Sequence, residues 1–175
     1  MATISSIVLA TLVATAASAH ADPAAVQTAP QPPLWDAELR LGYGLQISSG
    51  DGMTAPRAAP LTVEGLAAFA LQDDPLVYAY AGGVVETLDR SAIGASGGVQ
   101  IESGPMRLRG GAVYFFAPYT LFGATASGGG CHRVAKTMRA CADLALTEYF
   151  AGTDLVQGHA ATQVQLVFGM VFDGN

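Results

Sequence analysis

The chain is poor in charge. Charged residues make up 13% of its 175 residues, about half the usual quarter. Lysine occurs once, at Lys136, and 14 acids against 8 bases leave a formal balance of −6. The basic stripe of a nucleic-acid binder is therefore missing, and no nucleic-acid partner is expected. So few charges cannot solvate an ordinary globular surface. Disorder is excluded by the opposite excess, because apolar residues reach 51%. Cysteine is scarce, with Cys131 and Cys141 alone. No further Cys or His stands near them in a metal-ligand spacing, so neither metal nor cofactor is expected. The glycine pairs Gly82-Gly83, Gly97-Gly98 and Gly110-Gly111 match neither the dinucleotide fingerprint nor a phosphate loop. They suit close packing in a narrow interior.

Long apolar runs are also missing. The stretch Ile7 to Ala19 is shorter than the roughly 20 residues a membrane-spanning helix needs. It closes on Ala-Ser-Ala and Ala-His-Ala, so residues 1–21 read as a secretory signal peptide. Residues 22–34 hold Pro23, Pro30, Pro32 and Pro33 and read as a flexible lead-in. Export carries the chain to an oxidising compartment, where a Cys131–Cys141 disulfide is the default expectation.

What is abundant is alternation. From Trp35 to Ile47, every odd position is apolar: Trp35, Ala37, Leu39, Leu41, Tyr43, Leu45, Ile47. The even positions are Asp36, Glu38, Arg40, Gly42, Gly44 and Gln46. A period of two over thirteen residues is a strong strand signal. The last segment repeats it, with Thr162, Val164, Leu166, Phe168, Met170 and Phe172 on one face. Turn signals cut the chain between these two: Gly50-Asp51-Gly52, Asp73-Asp74-Pro75, Leu88 to Ser91, Ser103-Gly104-Pro105 and Ala117-Pro118. The resulting strands are 35–47, 58–71, 76–87, 92–102, 106–116, 119–127, 138–151 and 162–172. Gly128-Gly129-Gly130 is read as opening a longer connection, and 131–146 also admits a short helix. The barrel domain spans 35–172 and leaves 173–175 as a tail.

Alternation does not say which face is outside. A soluble barrel puts its apolar face inward; a transmembrane barrel reverses the sign. The polar face here is mostly Gly, Ala, Ser and Gln, which fits a narrow lumen better than a water-facing wall. Asp36, Glu38, Arg40, Glu64, Arg107, Arg109 and Asp143 are then expected to pair with one another inside. An unpaired buried charge would cost several kcal/mol. Trp35, Tyr114, Phe116, Tyr119, Tyr149 and Phe172 stand near strand ends, where amphipathic rings form a girdle at the membrane interface. The fold class expected is all-β: an eight-stranded antiparallel up-and-down transmembrane β-barrel behind a signal peptide.

With these features the chain resembles the small eight-stranded outer-membrane barrels of the OmpA and OmpX kind. The resemblance implies the cell outer membrane of a Gram-negative bacterium, with outer-membrane lipid as surroundings. The alternating end Val164 to Phe172 resembles the terminal-strand signal read by the outer-membrane assembly machinery, which would be a second partner. Asp173-Gly174-Asn175 after the final Phe departs from that pattern. The resemblance also puts both termini in the periplasm. That makes Ala117-Pro118 an unusually tight outer loop and sends the cysteine-bearing connection to the periplasmic end.

Catalysis is weakly indicated. Some small outer-membrane barrels resemble lipid-modifying enzymes built on a His-Ser pair. His132 and His159 lack a Ser at the spacing that shares a strand face, and an activated Ser needs a base within hydrogen-bond reach. No enzyme activity is expected; a site using His159 with Asp51 or Asp154 is the catalytic alternative. Arg133, Lys136 and Arg139 read as a solvated, disulfide-stapled hairpin, with contact to an anionic partner as the alternative. The role expected is structural or surface interaction without an open pore. The alternative outside the membrane is an exported soluble barrel that carries a small apolar ligand.

Overall fold

The alternation becomes strands wherever it was read. A computed structural model describes residues 33–50, 53–88, 91–155 and 159–174. It contains β1 (Trp35–Gly50), β2 (Met53–Ala58), β3 (Leu61–Asp73), β4 (Leu76–Thr87) and β5 (Ala92–Ser103). β6 (Met106–Ala117), β7 (Leu121–Ala135), β8 (Met138–Gly152) and β9 (Ala160–Gly174) complete it. Every neighbouring pair is antiparallel and sequential, and β9 returns to pair with β1 from Trp35↔Gly174 to Ser49↔Ala160. The sheet closes on itself.

Nine strands make eight staves, because β2 and β3 share one. β2 pairs with the upper part of β1, from Leu45↔Ala58 to Gly50↔Met53. β3 pairs with the lower part, from Trp35↔Phe69 to Gly42↔Thr62. The break between them is Ala59-Pro60. Pro60 has no N–H to give a ladder, so the strand is interrupted there. Two bonds, one from the neighbouring β1 and one from β9 beyond it, hold the break. Ala59 N donates to Gly44 O at 2.9 Å, and Gln165 Nε2 donates to Pro60 O at 3.2 Å.

The chain ends of the barrel, Trp35 and Gly174, lie at one rim with the turns β3–β4, β5–β6 and β7–β8. The turns β1–β2, β4–β5, β6–β7 and β8–β9 lie at the other. The largest departures from the sequence reading are in the second stave, β7 and β9. The strand read as 58–71 begins at Met53 and is broken at Ala59-Pro60. β7 does not stop at residue 127. It runs through Gly128-Gly129-Gly130 to Ala135, and the link to β8 is the tight turn at Lys136-Thr137. The short helix over 131–146 is absent. Glycine there marks a small-residue wall, not a loop: a Cβ on Gly129 would lie 2.0 Å from Ala142 O and 2.5 Å from Asp143 Oδ1. At the other end, β9 continues to Gly174, so Asp173 belongs to the ladder and not to a tail.

Cys131 and Cys141 stand directly opposite on β7 and β8 and form the disulfide. It staples a hairpin at the rim that holds the chain ends. The loop it closes is short, with a sequence separation of 10, so the entropic gain is modest. Replacing both cysteines by Ser should lower the unfolding free energy by about 2 kcal/mol and leave the barrel closed. Urea midpoints of the oxidised protein and the double variant measure this. Equal midpoints would mean that the ladder alone holds the hairpin.

Candidate functional site

The decisive question is which face looks outward. Leu39, Leu41, Leu166 and Phe168 are 52%, 48%, 60% and 62% exposed, while Arg40 and Gln165 are 6% and 5% exposed. The same sign holds around the wall, from Phe69 and Ile101 to Leu108, Leu144 and Phe172. The barrel wears its grease outside. A soluble carrier would need the reverse, with an apolar lumen for its ligand and a charged exterior.

The lumen is filled in layers. The central layer is ionic and joins β1, β3, β5, β6 and β8. Arg107 is at its hub: Nε donates to Asp143 Oδ1 at 2.9 Å and Nη2 to Glu38 Oε1 at 2.8 Å. Arg40 reaches Glu64 Oε2 at 2.8 Å through Nη1 and Asp143 Oδ2 at 3.2 Å through Nη2. Arg109 pairs with Glu38, and its Nε donates to Gln100 Oε1 at 2.7 Å. Its guanidinium also lies over the Tyr80 ring, 4.8 Å from the centroid, a cation–π contact. Three guanidinium groups face three carboxylates, so the layer is neutral as a whole. The sequence reading placed six of its residues in the lumen: Glu38, Arg40, Glu64, Arg107, Arg109 and Asp143.

Below it, toward the rim of the chain ends, lies a layer the sequence reading largely missed. Arg139 donates to Asp36 Oδ2 at 2.7 Å, Glu102 Oε2 at 2.8 Å and Asp173 Oδ1 at 2.8 Å. Of these four, only Asp36 was assigned to the lumen. Arg139 is therefore not part of a solvated basic hairpin; it is enclosed by three carboxylates, and Arg133 at the rim reaches Asp173 at 3.0 Å. The signal was available in parity, since Arg139 shares a face with Cys141 and Asp143. Gln100 joins the two layers, accepting from Arg109 and donating to Glu102 Oε1 at 2.7 Å.

Above the central layer, the lumen carries an apolar cluster beside the buried polar side chains Gln46, Glu86 and Gln163. Val84, Val113, Phe115, Leu121 and Tyr149 pack with Ala92 and Ala161. Tyr149 is the clearest misassignment among the girdle aromatics. It is 2% exposed and packs on Phe115 with centroids 6.2 Å apart. Tyr119 also turns inward, half-buried against this cluster, and its hydroxyl donates to Glu86 Oε2 at 3.4 Å. Parity explains Tyr149, because it follows Asp143, Ala145 and Thr147 along one face of β8. Trp35, Tyr114, Phe116 and Phe172 do point outward. Phe122 and Phe150, in a T-shaped contact at 5.2 Å, extend the outward aromatic row on the side of Tyr114.

Between the ionic layer and the apolar cluster sits a cavity of about 40 Å³, lined by Arg40, Glu64, Tyr80, Arg109, Thr147 and Gln165 among others. That is room for about two or three waters among polar partners, not for a substrate. Among the described residues, no group of three or more His, Cys, Asp or Glu could hold a metal ion. Of the catalytic alternative, Asp51 lies outside the described residues. His159 and Asp154 stand at the rim opposite the chain ends.

No family model and no curated protein matches the chain. Solved structures do. The de novo designed TMB2.3 is 15% identical, with a TM-score of 0.47, over 83% of this chain and 98% of that one. Neisserial surface protein A is 9% identical, with a TM-score of 0.47, over 79% and 96%. Ail, the attachment invasion locus protein of Yersinia pestis, solved in complex with the heparin analogue sucrose octasulfate, is 11% identical, with a TM-score of 0.43, over 79% and 99%. The functional reading below rests on the chain's own geometry.

The central layer makes a quantitative demand. Removing one partner of a buried pair leaves the other charge uncompensated, which costs about 3–5 kcal/mol. Asp143→Ala should therefore lower stability by roughly that amount, since it takes a carboxylate from both Arg107 and Arg40 and leaves three guanidinium groups facing two carboxylates. The Asp143→Ala/Arg107→Ala pair should lose less than the sum of the two single changes. Urea midpoints of the four proteins close the cycle; strict additivity would show that the network is not coupled.

Proposed function

We propose that this chain is an integral outer-membrane barrel of a Gram-negative bacterium, with a structural or surface-interaction role and no catalytic activity. One observation carries the reading: the described outward wall is apolar or small with a single charge, Glu148, while the arginines and carboxylates of the two ionic layers pair inside. In water, so large a continuous apolar wall would drive association. In a bilayer it is the matching surface, and the closed sheet leaves no edge unpaired in the hydrocarbon. The staves of 12–16 residues exceed the roughly 9–11 a tilted strand needs to cross.

The filled lumen argues against transport. Arg107, Phe115 and Leu121 are wholly enclosed, and an eight-stranded barrel has just the width that side chains fill. Recognition therefore falls to the outer wall and the rims. The partners follow from the same geometry: lipid around the wall, and the assembly machinery on β9, which presents Val164, Leu166, Phe168, Met170 and Phe172 outward.

The test is fractionation with a gel assay. The protein should be recovered with outer membranes and should migrate differently when heated and unheated, as a detergent-resistant barrel does. Recovery in the soluble periplasmic fraction would overturn the membrane reading. In planar bilayers the purified barrel should show no steady conductance, and a persistent open channel would overturn the closed-lumen reading.

A further inference from the structure

Between the two rims, the outward faces of the described staves are apolar or small with one charged exception. Glu148 lies on β8 between the outward residues Leu146 and Phe150, exposed, while its neighbours Thr147 and Tyr149 are buried in the lumen. The other outward or rim charges stand at turns, as Asp73 and Lys136 do. Glu148 makes no hydrogen bond or ion pair with another described residue. An ionisable group facing lipid is costly and marks a functional site by default.

Its surroundings indicate what it meets. Glu148 is directly opposite Thr162 of β9 and Ala124 of β7, so their Cβ atoms are about 4.5–5.5 Å away. Thr162 brings a hydroxyl to the same outward face, and Ala124 leaves a shallow floor. The next row up carries Phe150 and Phe122 in their T-shaped contact, with Tyr114 beside Phe122. The ladder bulges there, between Phe122 and Gly123, a device that re-aims side chains at barrel rims. Counted along β8 from Met138, Glu148 sits near the upper edge of an apolar band roughly 25 Å tall, where headgroups begin.

Building on the membrane reading above, we propose that Glu148 anchors a lipid-headgroup site that takes a primary ammonium. A carboxylate accepts its N–H donors, the Thr162 hydroxyl accepts another, and the aromatic row attracts the charge. A divalent ion fits less well, since calcium takes six to eight oxygen ligands and this face offers a carboxylate and a hydroxyl. A second copy in the same orientation fits less well too, because Arg133 and Lys136 stand at the opposite rim and Arg57, at the near rim, is paired across the ladder with the buried Gln46 on the lumen face.

The experiment uses the full barrel in phosphatidylcholine vesicles with a local reporter. The single tryptophan is removed by Trp35→Phe and a new one placed below the site by Leu146→Trp. Phosphatidylethanolamine and phosphatidylcholine, each brominated on the acyl chains, are compared as quenchers at equal mole fraction. Brominated phosphatidylethanolamine should associate at the reporter about two- to fivefold more strongly, the range of an exposed ion pair. Glu148→Gln should bring the ratio to about one. Equal quenching by the two lipids, or a preference that survives Glu148→Gln, overturns the headgroup site and leaves the membrane barrel intact. A chain that keeps its heat-modifiable migration in detergent but does not enter vesicles overturns the membrane reading, and the site falls with it.

Discussion

Everything in this molecule depends on Arg107 finding both Asp143 and Glu38. Arg107 is on β6, Asp143 on β8 and Glu38 on β1, so one guanidinium ties together three staves that are not neighbours. Backbone ladders alone fix each strand to the next; they do not fix the cross-section of the cylinder. The ionic layer does, because its members bridge the lumen with hydrogen bonds of 2.8–3.2 Å. The cost is desolvation of several charges, which only complete pairing offsets. Small residues make the pairing possible. Gly129 and Gly169 stand where a Cβ would strike Asp143 and Glu38, so the glycines leave the carboxylates the room they need.

The same layer explains why the sheet faces as it does. Once the four arginines and six carboxylates of the two ionic layers are committed to the interior, the opposite face of every described stave has almost no charge left to show water. Alternation then makes the outer wall apolar without further instruction, since successive side chains point to opposite faces. The inside and the outside are one decision. This is also why the few outward exceptions are informative: parity forces Glu148 out, and nothing in the lumen can reach it.

Most of the fold was legible because a period of two over ten or more residues has a single structural meaning. The staves built on β1, β4, β5, β6, β8 and β9 stand within about two or three residues of where the pattern put them. The errors have one origin, which is reading residue type before parity. Gly128-Gly129-Gly130 looked like a loop because glycine usually is one, yet the parity of Ser127, Gly129 and Cys131 continues without a break. Tyr149 looked like a girdle ring because it is aromatic and near a strand end, yet it shares a face with Asp143 and Thr147. Arg139 looked like part of a basic hairpin, and Asp173 like tail, for the same reason. What parity cannot supply is which inward carboxylate meets which inward arginine. That depends on the stagger of strands far apart in sequence, and only the closed register brings Asp173 to Arg139.

The two rims differ in a way that bears on where contact with the cell's surroundings is made. At the rim of the chain ends, the turns are tight, the hairpin of β7 and β8 is stapled, and three carboxylates close on Arg139. At the other rim, the lumen is capped from within by Phe115, Leu121 and Tyr149, and β1 with β2 stands above the break at Ala59-Pro60. The outer wall changes along the same axis, from bare aliphatic side chains to a row of rings with a carboxylate beneath it. A barrel sealed inside can act only through its surface, and the surface is most varied chemically at the rim away from its chain ends. On the proposed membrane reading, selectivity for lipid or partner belongs where the rings, Thr162 and Glu148 come together, and the wall, not the lumen, is the part that would interact.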